Sequence, residues 1–169
     1  MRIRIVVASN RAASGVYSDR SGPLLANGFR EAGFTVDDPV VVPDGEPVGI
    51  AIRQAVTDGV DAVITSGGTG LTGTDRTPEV TAAILDREVP GVAEAVRARG
   101  LGLGGALGDS PGTPHAMLSR GLAGVAGNTL VVNLAGSTGA ARDGLAVLAP
   151  VLPHIVDQIH NGDHSREQT

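Results

Sequence analysis

The chain contains no cysteine and no tryptophan, and its 13 basic residues are all arginine. Without cysteine there is no disulfide framework, which fits a reducing compartment. Without lysine there is no Schiff-base chemistry, and a side-chain cation that meets a phosphate has to be a guanidinium. Aromatic residues make up only 2% of the sequence, so the core must be built from Val, Leu, Ile and Ala. A stacking platform for single-stranded nucleic acid is not expected from so few rings. The net charge of −5 argues equally against nucleic acid and against an anionic membrane surface. No run of about 18 apolar residues is present. The N-terminal residues read as a strand rather than as a secretion signal. These absences point to a cytoplasmic protein with no nucleic-acid or membrane partner.

What is present is sufficient for one domain. A chain of 169 residues, 41% of them hydrophobic, can bury a substantial core. Residues 1–161 are read as that domain and 162–169 as a polar, frayed tail. Apolar runs of strand length occur at Ile3–Ala8, at Phe34–Val42 (interrupted by Asp37-Asp38-Pro39), at Ala62–Thr65 and at Thr129–Asn133. Between the first three lie helix signals. Ser18 or Asp19 can cap a helix whose face is Leu24, Leu25, Gly28 and Phe29, with Gly33 closing it. Ile50, Ala51, Gln54 and Ala55 recur at helical spacing before Asp58-Gly59. The order β-α-β-α-β implies right-handed crossovers and a parallel sheet. Further helices are expected from Pro78 to about Arg87, over Val92–Arg99, from Ala140, and from Leu152 to His160, with a hairpin at Gly124–Asn128. Residues 100–114 carry eight Gly or Pro, and read as a lid or as an irregular connection packed on a neighbour.

The most informative stretch follows the Ala62–Thr65 strand. Gly67, Gly68, Gly70 and Gly73 occupy a loop that ends at Thr77-Pro78-Glu79, a helix start. Glycines let main-chain N–H groups converge on an anion, and the hydroxyls of Ser66, Thr69, Thr72 and Thr74 add donors. Asp75 is a carboxylate inside a site otherwise suited to negative charge, which makes sense if a divalent cation accompanies the anion. The loop is neither a P-loop nor a dinucleotide fingerprint, because neither spacing is present. Taken alone it can equally be a tight turn. Ser9-Asn10-Arg11 ends the first strand, and polar residues there belong to the ligand zone of an open α/β sheet. A second glycine-bearing loop, Leu134–Gly139, follows the late strand. The four histidines do not stand at metal-ligand spacing and are read as structural.

Two anion-type loops beside a carboxylate and a Ser-Arg pair form a constellation that resembles the molybdenum-cofactor biosynthesis family. The resemblance is to the MoaB/Mog-type molybdopterin adenylyltransferases and the related gephyrin G domain. It is carried by Ser66-Gly-Gly-Thr-Gly70 with Asp75-x-Thr77-Pro78-Glu79, by Met117-Leu-Ser-Arg120, and by Gly127 to Asn133 with Leu134-x-Gly136. It runs from Val6 to the C-terminal helix. The resemblance implies a three-layer α/β/α sandwich with a mostly parallel central sheet, assembled as a homotrimer. It further implies transfer of AMP from Mg-ATP to the terminal phosphate of molybdopterin, with pyrophosphate released and the product passed to a molybdenum-insertion partner. By the same analogy Asp44, Asp75 and Ser119 are the catalytic positions, with Asp44 and Asp75 the candidate Mg²⁺ ligands. Ser9, Asn10, Arg11, Ser66, Gly67, Gly68, Thr69, Gly70, Arg120, Asn133, Gly136 and Ser137 are the expected substrate and nucleotide contacts. Ser119 can hydrogen-bond a phosphate and Arg120 can hold it bidentately. Asp44 can instead cap the turn after Pro43, and Ser119 can be a simple turn cap. The chain departs from the family pattern at Asn10, at Gly73-Thr74 and at Ala135, positions where an acid, Pro-Arg and Pro are usual. Those departures keep open a non-catalytic pterin carrier or scaffold, and more remotely a nucleotide-sensing domain.

Overall fold

Alternating apolar side chains along the strands sort the core into two layers. Strand β1 (Arg2–Ala8) sends Ile3, Ile5 and Val7 to one side of the sheet and Val6 and Ala8 to the other. The same period in β4 (Ala62–Ser66) and β7 (Thr129–Leu134) extends both faces. Ala62, Ile64, Leu130, Val132 and Leu134 join the first layer, and Val63 and Val131 join the second. The computed structural model in which these contacts are seen describes residues 1–103, 105 and 110–160.

Among the described residues, seven strands form one sheet. Its order is β2 (Thr35–Val36), β1, β4, β7, β6 (Ala123–Ala126), β5 (Arg87–Glu88), with β3 (Val40–Val42) also paired to β1. The β1, β2, β3, β4 and β7 pairings are parallel, whereas β6 runs antiparallel to both β7 and β5. Helices α2 (Ser21–Glu31), α5 (Pro90–Gly100), α6 (Thr138–Leu148) and α7 (Leu152–Ile159) cover the first face. Helices α3 (Glu46–Thr57) and α4 (Thr77–Ala82) cover the second. A short helix α1 (Asn10–Ala13) follows β1. The expected three-layer α/β/α sandwich is therefore the observed architecture. Phe29, wholly buried, meets Phe34 edge-on at 5.9 Å. That one contact replaces the aromatic clustering the rest of the core lacks, and burying such a ring stabilises by roughly 2–3 kcal/mol.

Connections in this order place a switch point between β1 and β4. From β1 the chain passes through α2 outward to β2 and β3, then returns through α3 to β4 on the other side. Strand carboxyl ends beside such a reversal are left uncovered, which is why ligands collect there in open α/β sheets.

Several local expectations are corrected. The helix beginning at Thr77 ends at Ala82 rather than near Arg87, and Arg87 lies in β5. The exposed edge of β6 takes main-chain bonds from this segment instead: Asp86 N–H to the Val125 carbonyl at 2.8 Å and Val89 N–H to the Ala123 carbonyl at 2.7 Å. Continued helix would have left that edge unpaired. The buried stripe of α3 is Val48, Ile52 and Ala55, while Ile50 is 58% exposed and Gln54 faces solvent. The Phe34–Val42 run resolves into β2 and β3, split at Asp37-Asp38-Pro39 as the sequence suggested. Asp19 caps α2 by accepting the N–H groups of Ser21 and Gly22, both at 2.9 Å. Within 100–114, the described residues support the packed connection: Thr113 N–H donates to the Gly100 carbonyl at 2.7 Å, and a 3₁₀ turn follows at Pro114–Leu118. Residues 104 and 106–109, and the tail 161–169 with His164, lie outside the described residues. Among those described, no helix is long and apolar enough to cross a membrane.

Candidate functional site

Three strand ends meet at the switch point because glycine lets their backbones touch. Gly67 leaves β4 with φ +102° and Gly68 follows at φ +64°, conformations that L side chains rarely adopt. Gly67 N–H donates to the Leu134 carbonyl at 3.0 Å, binding the first glycine loop to the end of β7. A Cβ on Gly67 would overlap the Ala8 carbonyl oxygen, so the end of β1 is in contact as well. One on Gly136 would stand 3.2 Å from the Gly67 Cα. The loops after β1, β4 and β7 thus form one surface.

Carboxylates reach this surface from two directions. Asp44 and Asn10 form a reciprocal pair: Asn10 N–H donates to Asp44 Oδ2, and Asp44 N–H donates to Asn10 Oδ1, both at 3.1 Å. Asp44 Oδ1 is turned to Gly68, 2.8 Å from where a Cβ would lie. The Thr77 hydroxyl, buried and without a hydrogen-bond partner among the described residues, faces the same point. Asp75 Oδ2 accepts from Thr72 N–H at 2.9 Å and from the Thr72 hydroxyl at 2.6 Å, so part of its carboxylate is used to fold its own loop. It packs on Gly70, with Oδ2 2.9 Å from a Cβ placed there. Hard oxygens held against a glycine turn suit Mg²⁺. Among the described residues no group of three or more acidic or His side chains is arranged to hold a metal ion.

These elements line a single cleft of about 960 Å³. The cleft brings together Asp44, Asp75 and Ser119. Ser9, Asn10 and Arg11 enter from the β1 end, Gly67, Gly68, Thr69 and Gly70 from the first glycine loop, and Asn133, Gly136 and Ser137 from β7 and its loop. Two expected members are elsewhere. Ser66 is fully buried and bonds the Ser21 hydroxyl at 3.0 Å, tying β4 to α2. Arg120 points to the far side of the 70–75 loop.

The family described as "Probable molybdopterin binding domain" matches residues 4–154. The chain belongs to the molybdenum-cofactor biosynthesis family of molybdopterin-binding domains. It is 38% identical, over 97% of its length and 50% of the other chain, to the molybdenum cofactor biosynthesis bifunctional protein of Chlorobaculum tepidum. It is 36% identical, over 95% of its length and 91% of the relative's, to molybdenum cofactor biosynthesis protein B of Bacillus cereus. The solved molybdopterin biosynthesis Mog protein of Mycobacterium ulcerans matches at a TM-score of 0.84 and 51% identity, covering 94% of this chain and 98% of that one. The chain spans about half the length of the bifunctional relatives and 22% of a gephyrin from Dictyostelium discoideum.

In this molybdopterin-binding domain helices α5 and α6 add three guanidiniums to the cleft lining together with Asp143, whose Oδ1 lies 3.4 Å from Arg99 Nε. Arg97 and Arg99 of α5 and Arg142 of α6 line the cleft, and the sequence reading did not single them out. Arg142 carried a usable signal, since it stands in the first turns of the helix that follows the second glycine loop. Arg97 and Arg99 carried none, because helical spacing alone does not say which side of α5 meets the sheet ends. His115 also reaches the cleft, and its Nδ1 lies 3.2 Å from the Thr113 hydroxyl. Asn133 is 4% exposed: its amide donates to the Thr65 and Thr81 hydroxyls at 3.1 and 3.0 Å, and its oxygen accepts from Leu122 N–H at 3.3 Å. It orders the cleft floor. Ser137 caps α6 by accepting Ala140 N–H at 3.1 Å, which leaves the positive end of that helix facing the cleft.

Glu79, in the first turn of α4, pairs with Arg120. The hydrogen bond from Arg120 holds its carboxyl below the ordinary value of 4.5, with the Arg120 and Arg76 charges adding to the effect and partial burial opposing it. A depressed folded-state value means the pair stabilises above about pH 4.5 and is lost as pH falls through the lower folded-state value. The difference in unfolding midpoint between wild type and Glu79→Gln is therefore expected to shrink from pH 7 toward pH 3. A constant difference would show that the charge of Glu79 plays no part.

Proposed function

We propose that this chain is a molybdopterin adenylyltransferase. A terminal phosphate oxygen of molybdopterin attacks the α-phosphorus of ATP, the bond from that phosphorus to the β-phosphate bridging oxygen breaks, and pyrophosphate leaves. The single observation that carries the reading is the convergence of two glycine loops and the Asp44 carboxylate on one cleft. Two polyanions must approach each other, so the site has to neutralise charge before it can align anything. Main-chain N–H groups of Gly68–Gly70 and of the Gly136–Gly139 loop, with the α6 N-terminus, would receive phosphate oxygens, the Gly67 N–H being held by the Leu134 carbonyl. The guanidiniums of Arg97 and Arg142 in the cleft lining would add positive charge, while Arg99 is paired with Asp143. Ser119, whose hydroxyl lies 3.3 Å from that of Thr69, can turn its proton toward a bound phosphate. Asp44 and Asp75 would hold the Mg²⁺ that arrives with ATP, and the ion would supply charge neutralisation at the phosphates. The attacking oxygen is already anionic, so no strong general base is required. A homotrimer, a cytoplasmic location and a molybdenum-insertion partner belong to the same reading.

Pyrophosphate release is expected only when the protein, ATP, Mg²⁺ and molybdopterin are all present, with adenylylated pterin formed in equal amount. Tight pterin binding without an ATP-dependent product would overturn catalysis in favour of a pterin carrier, the alternative suggested by Asn10, Thr74 and Ala135. Asp75→Asn should lower turnover at least about tenfold, roughly 1.4 kcal/mol of transition-state stabilisation. The amide oxygen can still accept from Thr72, so the loop keeps its shape and the loss reports the charge. Wild-type turnover in that variant would remove Asp75 from the reaction.

A further inference from the structure

A guanidinium beside a phosphate cleft invites assignment as an anion ligand, and Arg120 is instead fully engaged on the outside of the site. Its Nε donates to the Gly70 carbonyl at 2.8 Å and its Nη2 to the Asp75 carbonyl at 2.7 Å. Nη1 pairs with the Glu79 carboxylate, and Nη2 lies 3.5 Å from the second Glu79 oxygen. The Arg120 main-chain N–H donates to the Thr69 carbonyl at 3.0 Å. One residue therefore ties down the start and the end of the glycine loop and the first turn of the helix beyond it.

The loop has little else to hold it. Leu71, Thr72, Gly73 and Thr74 are exposed, so burial contributes almost nothing there. Among the described residues, the remaining hydrogen bonds made by residues 70–75 are internal to the segment: Thr72 to Asp75 and Thr72 to Thr74. Arg120 is itself anchored, because Arg97 Nη1 donates to the Gly121 carbonyl at 3.0 Å and approaches that of Ser119 at 3.5 Å. Arg97 lines the cleft, and Arg120 stands behind it.

We propose that Arg120, with Glu79 as its counter-charge, is a positioning residue that holds the 70–75 loop closed from behind and so sets where Asp75 stands in the cleft. It does not touch substrate. Only the activity part of this inference rests on the adenylyl-transfer reading. Lysine at 120 can pair with Glu79 but lacks the planar fork needed to reach two carbonyls as well. Glutamine at 79 leaves the guanidinium in place and removes the charge that orients it.

The two readings of Arg120 differ in sign for Glu79→Gln. As an anion ligand, Arg120 would be released by that change and would bind inorganic pyrophosphate more tightly. As a brace, it would lose its orientation and the loop would open. Amide hydrogen exchange on the full chain without ligand decides between them. In both Arg120→Lys and Glu79→Gln, amides of residues 70–76 are expected to exchange at least about tenfold faster, while those of β4 and β7 keep wild-type rates. Where turnover is measurable, kcat should fall roughly tenfold, with KM for ATP changed less than about twofold. Unchanged exchange at 70–76, or tighter pyrophosphate binding in Glu79→Gln, would overturn the proposal. The exchange result stands even if the wild-type protein transfers no adenylyl group, so the two failures are separable.

Discussion

Gly67→Ala is expected to lower the thermal unfolding midpoint by about 6–12 °C and to abolish ligand binding in the cleft. Two costs add at this position. A non-glycine residue forced to φ +102° loses of order 1–3 kcal/mol. The new Cβ also meets the carbonyl oxygen of Ala8, a backbone atom inside a sheet that no rotamer change can move. A total near 3 kcal/mol converts at about 2–4 °C per kcal/mol for a domain of this size. Gly73→Ala is the matched control. Nothing lies within 4 Å of a Cβ at Gly73, and its backbone is not in the left-handed region. That variant should stay within about 0.5 kcal/mol of wild type. Equal midpoints for the two variants would show that the ends of β1 and β4 do not touch as described.

Asp44→Asn is expected to lower kcat/KM about 100-fold, close to 2.7 kcal/mol, with the unfolding midpoint little changed. The fold should tolerate it because the asparagine oxygen can still accept Asn10 N–H, and Asp44 N–H still donates to the Asn10 side chain. What disappears is the charge on the oxygen turned to Gly68 and the Thr77 hydroxyl. The loss should exceed that for Asp75→Asn, since Asp75 Oδ2 accepts two hydrogen bonds from Thr72 whereas Asp44 Oδ2 accepts one, from Asn10 N–H. Under the proposed reaction the variant should also need more Mg²⁺ for half-maximal turnover. Wild-type turnover with an unaltered Mg²⁺ requirement would exclude Asp44 as a metal ligand. The Asn10–Asp44 pair also bears on the family departure at residue 10. Asn10 accepts the Asp44 N–H with a neutral oxygen, so the neighbouring carboxylate meets no like charge there.

Much of the framework was legible because its signals are local. The apolar alternation of Ile3–Ala8 and the β-branched run before Ser66 report which faces are buried, since a strand's period of two depends only on its own backbone. Gly67 and Gly68 announced an unusual backbone, and both have positive φ. Where local signals competed, the reading slipped. Ile50 sits at helical spacing yet faces solvent, because the sheet selects the stripe through Val48 and Ile52. Helical propensity after Thr77 yielded at Ala82 to the hydrogen-bonding demand of an open strand edge.

By itself the sequence determined the β-α-β-α-β order of a parallel sheet, the absence of any lysine or cysteine chemistry, and the two glycine loops that make an anion site possible. Each follows from composition or from a short repeat along the chain. Only the tertiary structure decided that Gly67, Ala8 and Gly136 meet, that Arg97 and Arg142 line the same cleft as Asp44, and that Arg120 turns away to Glu79. Arg120 alone meets partners 41 and 50 positions away. A guanidinium takes whichever acceptors the packed fold brings within reach, and no local pattern encodes that choice.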